Sequence, residues 1–63
     1  MKSTKLKATR EASGKTQVQV AAEVGIALRG YQNYESGSRE PRIGTALKIA
    51  DALGVDVREL FKS

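Results

Sequence analysis

The sequence predicts an all-α fold of five short helices, and three observations support this prediction. Apolar residues recur at intervals of three and four, as they do on one face of a helix. No stretch shows the alternating pattern of a strand, and none is an internal repeat. Glycines follow the helix-like segments where a left-handed residue is favoured, namely Gly14, Gly25, Gly37 and Gly54. Their spacing limits each helix to roughly 8–12 residues.

The first two predicted helices differ in strength. The first runs from about Thr4 to Ser13 and is weakly amphipathic, because Leu6 is its only large apolar residue. The second begins at Thr16, which can cap it, and Gln19 three residues later completes a capping-box pattern. The apolar face of this second helix is made of Val20, Ala21 and Val24.

The third predicted helix spans about residues 28–36 and has distinct inner and outer faces. Tyr31 and Tyr34 occupy inward positions three residues apart, so we expect both rings in the core. A basic loop follows at residues 38–42, where Pro41 prevents the helix from continuing. The outward positions of the helix hold Leu28, Arg29, Gln32 and Asn33.

The last two predicted helices complete the chain. The fourth begins at Ile43 or Thr45 and ends at Leu53. Asp56 then caps a short fifth helix, in which Glu59 takes the capping-box position. The predicted apolar face of the fourth helix is Ile43, Ala46, Leu47, Ala50 and Leu53, and that of the fifth is Val57, Leu60 and Phe61.

Positive charge is unevenly distributed along the 63 residues, whose net charge is +4. Residues 1–15 hold five basic residues against one acidic residue, and residues 36–48 hold three against one. The segments at residues 16–35 and 49–63 are each slightly acidic. A polyanion bound at the middle of the chain would therefore meet cations on both sides. The alternative is that these are the few extra lysines common on small soluble domains.

Composition excludes several classes of protein. The chain has no Cys and no His, which removes disulfides, the usual zinc sites and imidazole or thiolate catalysis. We therefore expect no metal, no cofactor and no enzymatic activity. No apolar run approaches the roughly 20 residues of a membrane span, and the basic start lacks a signal peptide's apolar stretch. We expect a single soluble cytoplasmic domain over residues 1–63.

Four motifs carry a family resemblance that covers residues 6–61. They are L-x-x-x-R-x-x-x-G-x-T-Q-x-x-x-A-x-x-x-G-I, then Y-x-x-Y-E-x-G, then E-P-R-I, then L-x-I-A-x-A-L-G-V-x-V-x-E-L-F. In this joint spacing the chain resembles the phage-repressor and Cro type (XRE-like) of helix-turn-helix domain. The resemblance implies a compact five-helix, lambda-repressor-like bundle with its motif at residues 16–37. It also implies that the second helix of the motif enters the major groove of double-stranded DNA.

The resemblance makes the outward face of the third helix the candidate surface for base contacts. Arginine pairs with guanine O6 and N7, glutamine and asparagine pair with adenine N6 and N7, and leucine can touch a thymine methyl group. The candidates are therefore Leu28, Arg29, Gln32 and Asn33. The alternative is the solvated polar face that every surface helix has.

Candidate phosphate contacts lie on either side of this face. Gln17 sits in the first turn of the second helix, where backbone amides and the helix dipole favour an anion. Arg39 and Arg42 follow the third helix, and Lys5 and Lys7 are weaker candidates. For the cations, the alternative is a solvated charge run.

Other matched residues have structural roles, and three positions depart from the family pattern. Arg10 and Glu35 match a pair that is a buried ion pair in some relatives. Ala27 stands where serine or threonine commonly caps the third helix. Gly30 lies inside that helix, where it either lets the backbone approach DNA or is neutral. Lys15 replaces a commonly apolar residue and is expected to weaken the core slightly.

The resemblance implies a transcriptional regulator that acts as a repressor by occupying its site. One helix of this size contacts about half an operator, so we expect a homodimer on a two-fold symmetric site. The residues left for a dimer face are Val55, Val57, Arg58 and Phe61. The alternative function is a protein-interaction or antitoxin-like adaptor on the same fold.

Overall fold

Five α-helices joined by short turns make up residues 5–61, the part of the chain that the computed structural model describes. The helices are α1 (Leu6–Ser13), α2 (Gln17–Val24), α3 (Leu28–Ser36), α4 (Ile43–Leu53) and α5 (Val57–Leu60). The all-α prediction is confirmed, and no strand occurs within the described range. The predicted start of the first helix at Thr4 lies outside that range. None of the described helices is long and apolar enough to cross a bilayer.

Local signals account for the helix ends. Thr16 Oγ1 accepts a hydrogen bond from the Gln19 backbone N–H at 3.1 Å, and Gln19 Oε1 accepts one from the Thr16 N–H at 2.8 Å. The predicted capping box of α2 is therefore confirmed. α3 begins after Ala27 without a side-chain cap, as expected from the missing hydroxyl. Gly25 ends α2 with a φ of 85°, a left-handed conformation that a residue with a Cβ rarely adopts.

Each helix contributes side chains to one shared core. α2 packs against both α3 and α4, α1 packs against the same two helices, and α5 packs against α4. The largest fully buried side chains are Leu6, Val20, Tyr31, Ile49 and Leu60. Tyr34 is half-buried at the edge of this core. Because α2 and α3 both pack into this core, the core fixes the orientation of one motif helix relative to the other.

The predicted apolar face of α4 was partly wrong. Ile43 is 71% exposed and Leu47 is 50% exposed, whereas Ile49 is fully buried. The apolar residues of α4 form a stripe that is wider than the part of the helix surface covered by neighbouring helices. At about 100° per residue, the positions of Ala46, Ile49, Ala50 and Leu53 form one side of that stripe. Packing against α2 and α5 buries this side and leaves the other in solvent.

Candidate nucleic-acid interface

The turn between α2 and α3 brings the two helices together at a small residue. Ala21 is buried beneath the turn, and its carbonyl oxygen accepts hydrogen bonds from the backbone N–H groups of Gly25 and Ile26 at 2.9 and 3.0 Å. A larger side chain at position 21 would push the helices apart. Gly25 permits the left-handed turn, and Ile26 packs against the core. The result is a helix-turn-helix with α3 on the outside.

α3 presents most of the predicted base-contact residues to solvent. Leu28, Arg29 and Gln32 are exposed, and Asn33 is half-buried. Tyr31 on the opposite side of the same helix is fully buried, so the helix has one core face and one open face. The structure therefore brings three of the four candidates onto one accessible surface, with Asn33 at its margin.

The two candidate arginines lie beyond the C-terminal end of α3. Arg39 is exposed, and its backbone N–H donates to the carbonyl oxygen of Asn33 at 3.3 Å, which ties this loop to the end of α3. Arg42 is exposed at the N-cap position of α4. Lys5 and Lys7, on the N-terminal side, are also exposed.

A buried polar cluster joins the inner side of α3 to α1 and α2; it is formed by Arg10, Gln17, Tyr31 and Glu35. Arg10 Nε lies 2.5 Å from Glu35 Oε2, and the two side chains are only 10% and 5% exposed. The hydroxyl of Tyr31 donates to Glu35 Oε2 at 2.6 Å, and Gln17 Nε2 donates to Glu35 Oε1 at 2.9 Å. Arg10 Nη1 also donates to the Lys15 carbonyl oxygen at 2.9 Å. Glu35 thus joins α1, α2 and α3 at a single carboxylate.

Comparison with known proteins assigns the family. The sequence model of the helix-turn-helix family matches residues 6–60, which is most of the chain. The chain belongs to the helix-turn-helix family. The matched range includes both motif helices and all of the core described above. The resemblance to that family stated from the four motifs is therefore confirmed.

Relatives of this helix-turn-helix chain include regulators from phage. The transcriptional repressor RstR of the cryptic phage CTXphi of Vibrio cholerae is 49% identical over 51 residues, covering 81% of this chain and 46% of RstR. YonR, an uncharacterized helix-turn-helix-type transcriptional regulator derived from the SPbeta prophage of Bacillus subtilis, is 38% identical over 58 residues, covering 92% of this chain and 54% of YonR. The chain spans about half the length of these relatives.

A solved structure shares the fold of this helix-turn-helix domain. The crystal structure of a protein from Bacteroides fragilis superposes with a TM-score of 0.83 at 23% sequence identity, covering 89% of this chain and 90% of that one. At this level of identity the likeness establishes the five-helix arrangement.

The charge state of the polar cluster follows from its hydrogen bonds. Burial by itself would raise the pKa of Glu35, but hydrogen bonds from Arg10, Tyr31 and Gln17 hold that pKa below its usual value. Burial and the hydrogen bond to Glu35 raise the pKa of Tyr31, so its hydroxyl stays protonated and donates. The hydrogen bond to Glu35 raises the pKa of Arg10. Glu35 is therefore an ionised carboxylate that can only accept hydrogen bonds.

We expect the helix-turn-helix domain to lose stability in acid through Glu35. A carboxyl group whose pKa is lower in the folded state stabilises the fold above its unfolded pKa, and this contribution is lost as the pH falls through the folded value. The free energy of unfolding should therefore decline below the ordinary glutamate pKa of about 4.5. Urea denaturation of the wild type and Glu35→Gln between about pH 5 and pH 3 measures this decline.

A matched control for the acid series is Asp56→Asn. Arg58 also lowers the pKa of Asp56, but that pair is exposed and screened by solvent. The Asn variant should keep most of the wild-type pH dependence, and Glu35→Gln should flatten it. Equal slopes in the wild type and Glu35→Gln would contradict the assignment.

Gly30 is sterically replaceable in the free protein. It lies within α3 without a positive φ, and a Cβ added there would meet nothing within 4 Å. We therefore expect Gly30→Ala to raise the free energy of unfolding by about 1 kcal/mol, because glycine is less favourable than alanine inside a helix. Thermal denaturation measures this gain. Affinity for duplex DNA then separates the two interpretations of Gly30, since weaker binding indicates a close approach of the backbone to DNA and unchanged binding indicates neutrality.

Two features of the site were missed in the sequence. Lys15 was expected to weaken the core, but its Nζ contacts Glu23 Oε1 at 2.8 Å and the Ala52 carbonyl oxygen at 2.7 Å, so it joins α2 to the end of α4. The bond between Tyr31 and Glu35 was also missed, although their i, i+4 spacing on one helix could have indicated it.

Proposed function

We propose that this helix-turn-helix domain binds double-stranded DNA at specific sequences and represses transcription by occupying its site, with α3 in the major groove. The observation that supports this most directly is that α3 has one side packed on the protein and one side exposed to solvent. Tyr31 and Glu35 secure one side of the helix to the fold, while Arg29 and Gln32 stand exposed on the other side. The relatives RstR, a transcriptional repressor, and YonR, an uncharacterized transcriptional regulator, agree with this proposal.

In this proposal the exposed face of α3 selects the sequence. Arg29 would pair with guanine, Gln32 and Asn33 with adenine, and Leu28 would touch a thymine methyl group. None of these four side chains belongs to the core cluster.

Contacts to phosphate would supply most of the affinity and set the position of α3. Arg39 and Arg42 are exposed just beyond the C-terminal end of that helix. Gln17 occupies the first turn of α2, but its side-chain atoms Nε2 and Oε1 are bonded to Glu35 and Gln32. We therefore propose that Gln17 meets a phosphate oxygen through its backbone N–H, with the dipole of α2 behind it.

A test of the function combines salt titration with two arginine variants. Duplexes selected from a random library provide the preferred sequence, and fluorescence anisotropy gives affinity over a range of salt. The logarithm of the association constant should fall by close to one unit per phosphate contact per decade of salt. We expect Arg29→Ala to cost about 1–3 kcal/mol on the preferred sequence and to relax preference at one base pair. Arg42→Ala should weaken binding to all sequences alike and reduce the salt slope by about one.

Lys48→Ala is the matched control for charge, because it removes one exposed cation from the middle of α4. It should leave the salt slope near that of the wild type. If Arg29→Ala weakened every sequence equally, the base-contact role would be wrong. Affinity for duplex DNA that did not change with salt would contradict the function itself and favour the adaptor alternative.

We also propose that the domain acts as a homodimer on a two-fold symmetric operator. Half-sites on one face of DNA lie about 34 Å apart, whereas the longest extent of this domain is 26 Å. The proposed dimer face includes Val55, Val57 and Phe61, which are half-buried, and Arg58, which is exposed. Exposed Leu47 borders the same shallow depression as the two valines. Light scattering with and without a selected duplex, and symmetry in the selected sequences, test this proposal.

We also propose a cytoplasmic location, because the genomic DNA of the bacteria that carry its relatives lies in the cytoplasm. No catalytic step is part of this function.

A further inference from the structure

The two tyrosines of α3 differ in how the fold uses their hydroxyl groups. Tyr31 is fully buried, and its hydroxyl donates to Glu35 Oε2 at 2.6 Å. Tyr34 is half-buried with its ring packed against the core, but its hydroxyl makes no hydrogen bond to any group of residues 5–61. A tyrosine in such a position usually has a partner for its O–H. The Tyr34 hydroxyl is therefore a donor that the fold itself does not use.

Tyr34 lies on the flank of α3 that faces away from α2. Each residue turns the helix by about 100°, so Gln32 and Glu35 lie to one side of the buried Tyr31. Gln17 of α2 hydrogen-bonds both of these side chains, so that side of α3 faces α2. The same rotation places Tyr34 on the other side of Tyr31, at the opposite margin of the open face.

The helix neighbours of Tyr34 on this flank have no side chains. Gly30 precedes it by four residues and Gly37 follows it by three, and residues at these spacings are adjacent on a helix surface. Gly37 serves the fold, because it ends α3 with a left-handed φ of 83°. Gly30 has no positive φ, and a Cβ added there would meet nothing within 4 Å. The two glycines leave the outer side of the Tyr34 ring open to a large partner.

The basic loop after α3 begins beside this tyrosine. The Gly37 N–H donates to the Tyr34 carbonyl oxygen at 3.3 Å, and Arg39 is exposed two residues later. Arg42 is exposed at the other end of the loop. A neutral O–H donor next to two cations matches the oxygen of a phosphodiester, which accepts hydrogen bonds and carries negative charge.

We propose that the hydroxyl of Tyr34 donates a hydrogen bond to a DNA phosphate at the edge of the major groove that α3 enters. The proposal rests on the function proposed above and adds a neutral contact on the flank of α3 that faces away from Gln17. The Tyr34 ring keeps its place at the core, so one side chain joins the fold to the DNA backbone. The bond adds affinity for any sequence and neutralises no phosphate charge.

The first test is Tyr34→Phe, which removes the hydroxyl and keeps the ring. The urea midpoint should stay at the wild-type value, because no bond within the protein is lost. Affinity for the preferred duplex and for an unrelated duplex should fall by the same factor, about tenfold. The salt slope should be unchanged, whereas Arg42→Ala should reduce it by about one. Fluorescence anisotropy over a range of salt measures these quantities.

Tyr31→Phe is the matched control for stability, because it removes the same atom from a tyrosine whose hydroxyl bonds Glu35. Its urea midpoint should fall. A midpoint of Tyr34→Phe that fell as far would show that the hydroxyl serves the fold, and wild-type affinity in Tyr34→Phe would show that it meets only water. A loss confined to the preferred duplex would indicate a base contact. Each of these three results would overturn the proposal.

The proposed function can fail separately from this contact. Wild-type affinity for duplex DNA that did not depend on salt would contradict the function, and this is seen before any variant is made.

A second measurement locates the contacted phosphate. Duplexes that carry a single methylphosphonate, placed at each position in turn, replace one charged phosphate oxygen with a methyl group. At the phosphate bonded by Tyr34, this replacement should weaken wild type several-fold more than it weakens Tyr34→Phe, because both changes remove one interaction. At all other positions it should weaken the two proteins alike. Equal effects on both proteins at every position would overturn the proposal.

Discussion

Glu35→Ala is expected to lower the free energy of unfolding by about 3–5 kcal/mol. The change leaves the guanidinium of Arg10 buried without its counter-ion, and it removes the acceptor of the Tyr31 hydroxyl and the Gln17 amide. A 63-residue chain has a total stability of only about 5 kcal/mol, so much of the protein should be unfolded at room temperature. Urea denaturation followed by circular dichroism measures the loss.

Two further variants test whether the loss of stability comes from leaving a buried charge unpaired. Arg58→Ala removes a cation whose ion pair with Asp56 is 88% exposed on the arginine side, and it should change stability only slightly. Arg10→Met with Glu35→Leu leaves no unpaired charge, so the double variant should be more stable than Glu35→Ala. A loss in Glu35→Ala no larger than in Arg58→Ala would show that the cluster does not stabilise the fold.

The second large effect is expected in α4, where Ile49→Ala should cost about 2–5 kcal/mol. The Ile49 side chain is fully buried, so its truncation loses apolar burial and leaves a cavity in the shared core. Leu47→Ala removes a side chain of similar size from the same helix, but Leu47 is 50% exposed. That variant should cost about 1 kcal/mol.

Thermal or urea denaturation of both α4 variants at a low protein concentration measures the difference in the monomer. Similar losses in the two variants would contradict the packing of α4. If Leu47→Ala keeps the monomer stable but weakens assembly on DNA, the exposed leucine belongs to the proposed dimer face.

The number of helices and most of their ends could be predicted because they depend on local chemistry. Thr16 and Gln19 lie three residues apart, and each satisfies a backbone N–H of the other. Gly25 ends α2 because only glycine adopts its left-handed conformation without strain. Such signals act within one turn of the chain, so they are visible without any knowledge of the neighbours.

The candidate site was predictable to a smaller extent. The outward positions of Arg29 and Gln32 follow from helical periodicity once Tyr31 is placed inside. The pair Arg10 and Glu35 was named only because the motifs resemble a family, since the two residues are 25 positions apart. No spacing in the sequence indicates that Gln17 joins Glu35 to Gln32.

By itself, the sequence determined that residues 5–61 form five short helices, where most of them begin and end, and which side of α3 faces outward. Only the tertiary structure decided that Ile49 rather than Leu47 enters the core, and that Gln17 hydrogen-bonds both the buried Glu35 and the exposed Gln32. The physical reason is the distance along the chain over which each interaction acts. Caps and left-handed glycines act within one turn, whereas burial and hydrogen-bond direction depend on which distant residues the packing of α1, α2, α3 and α4 brings into contact.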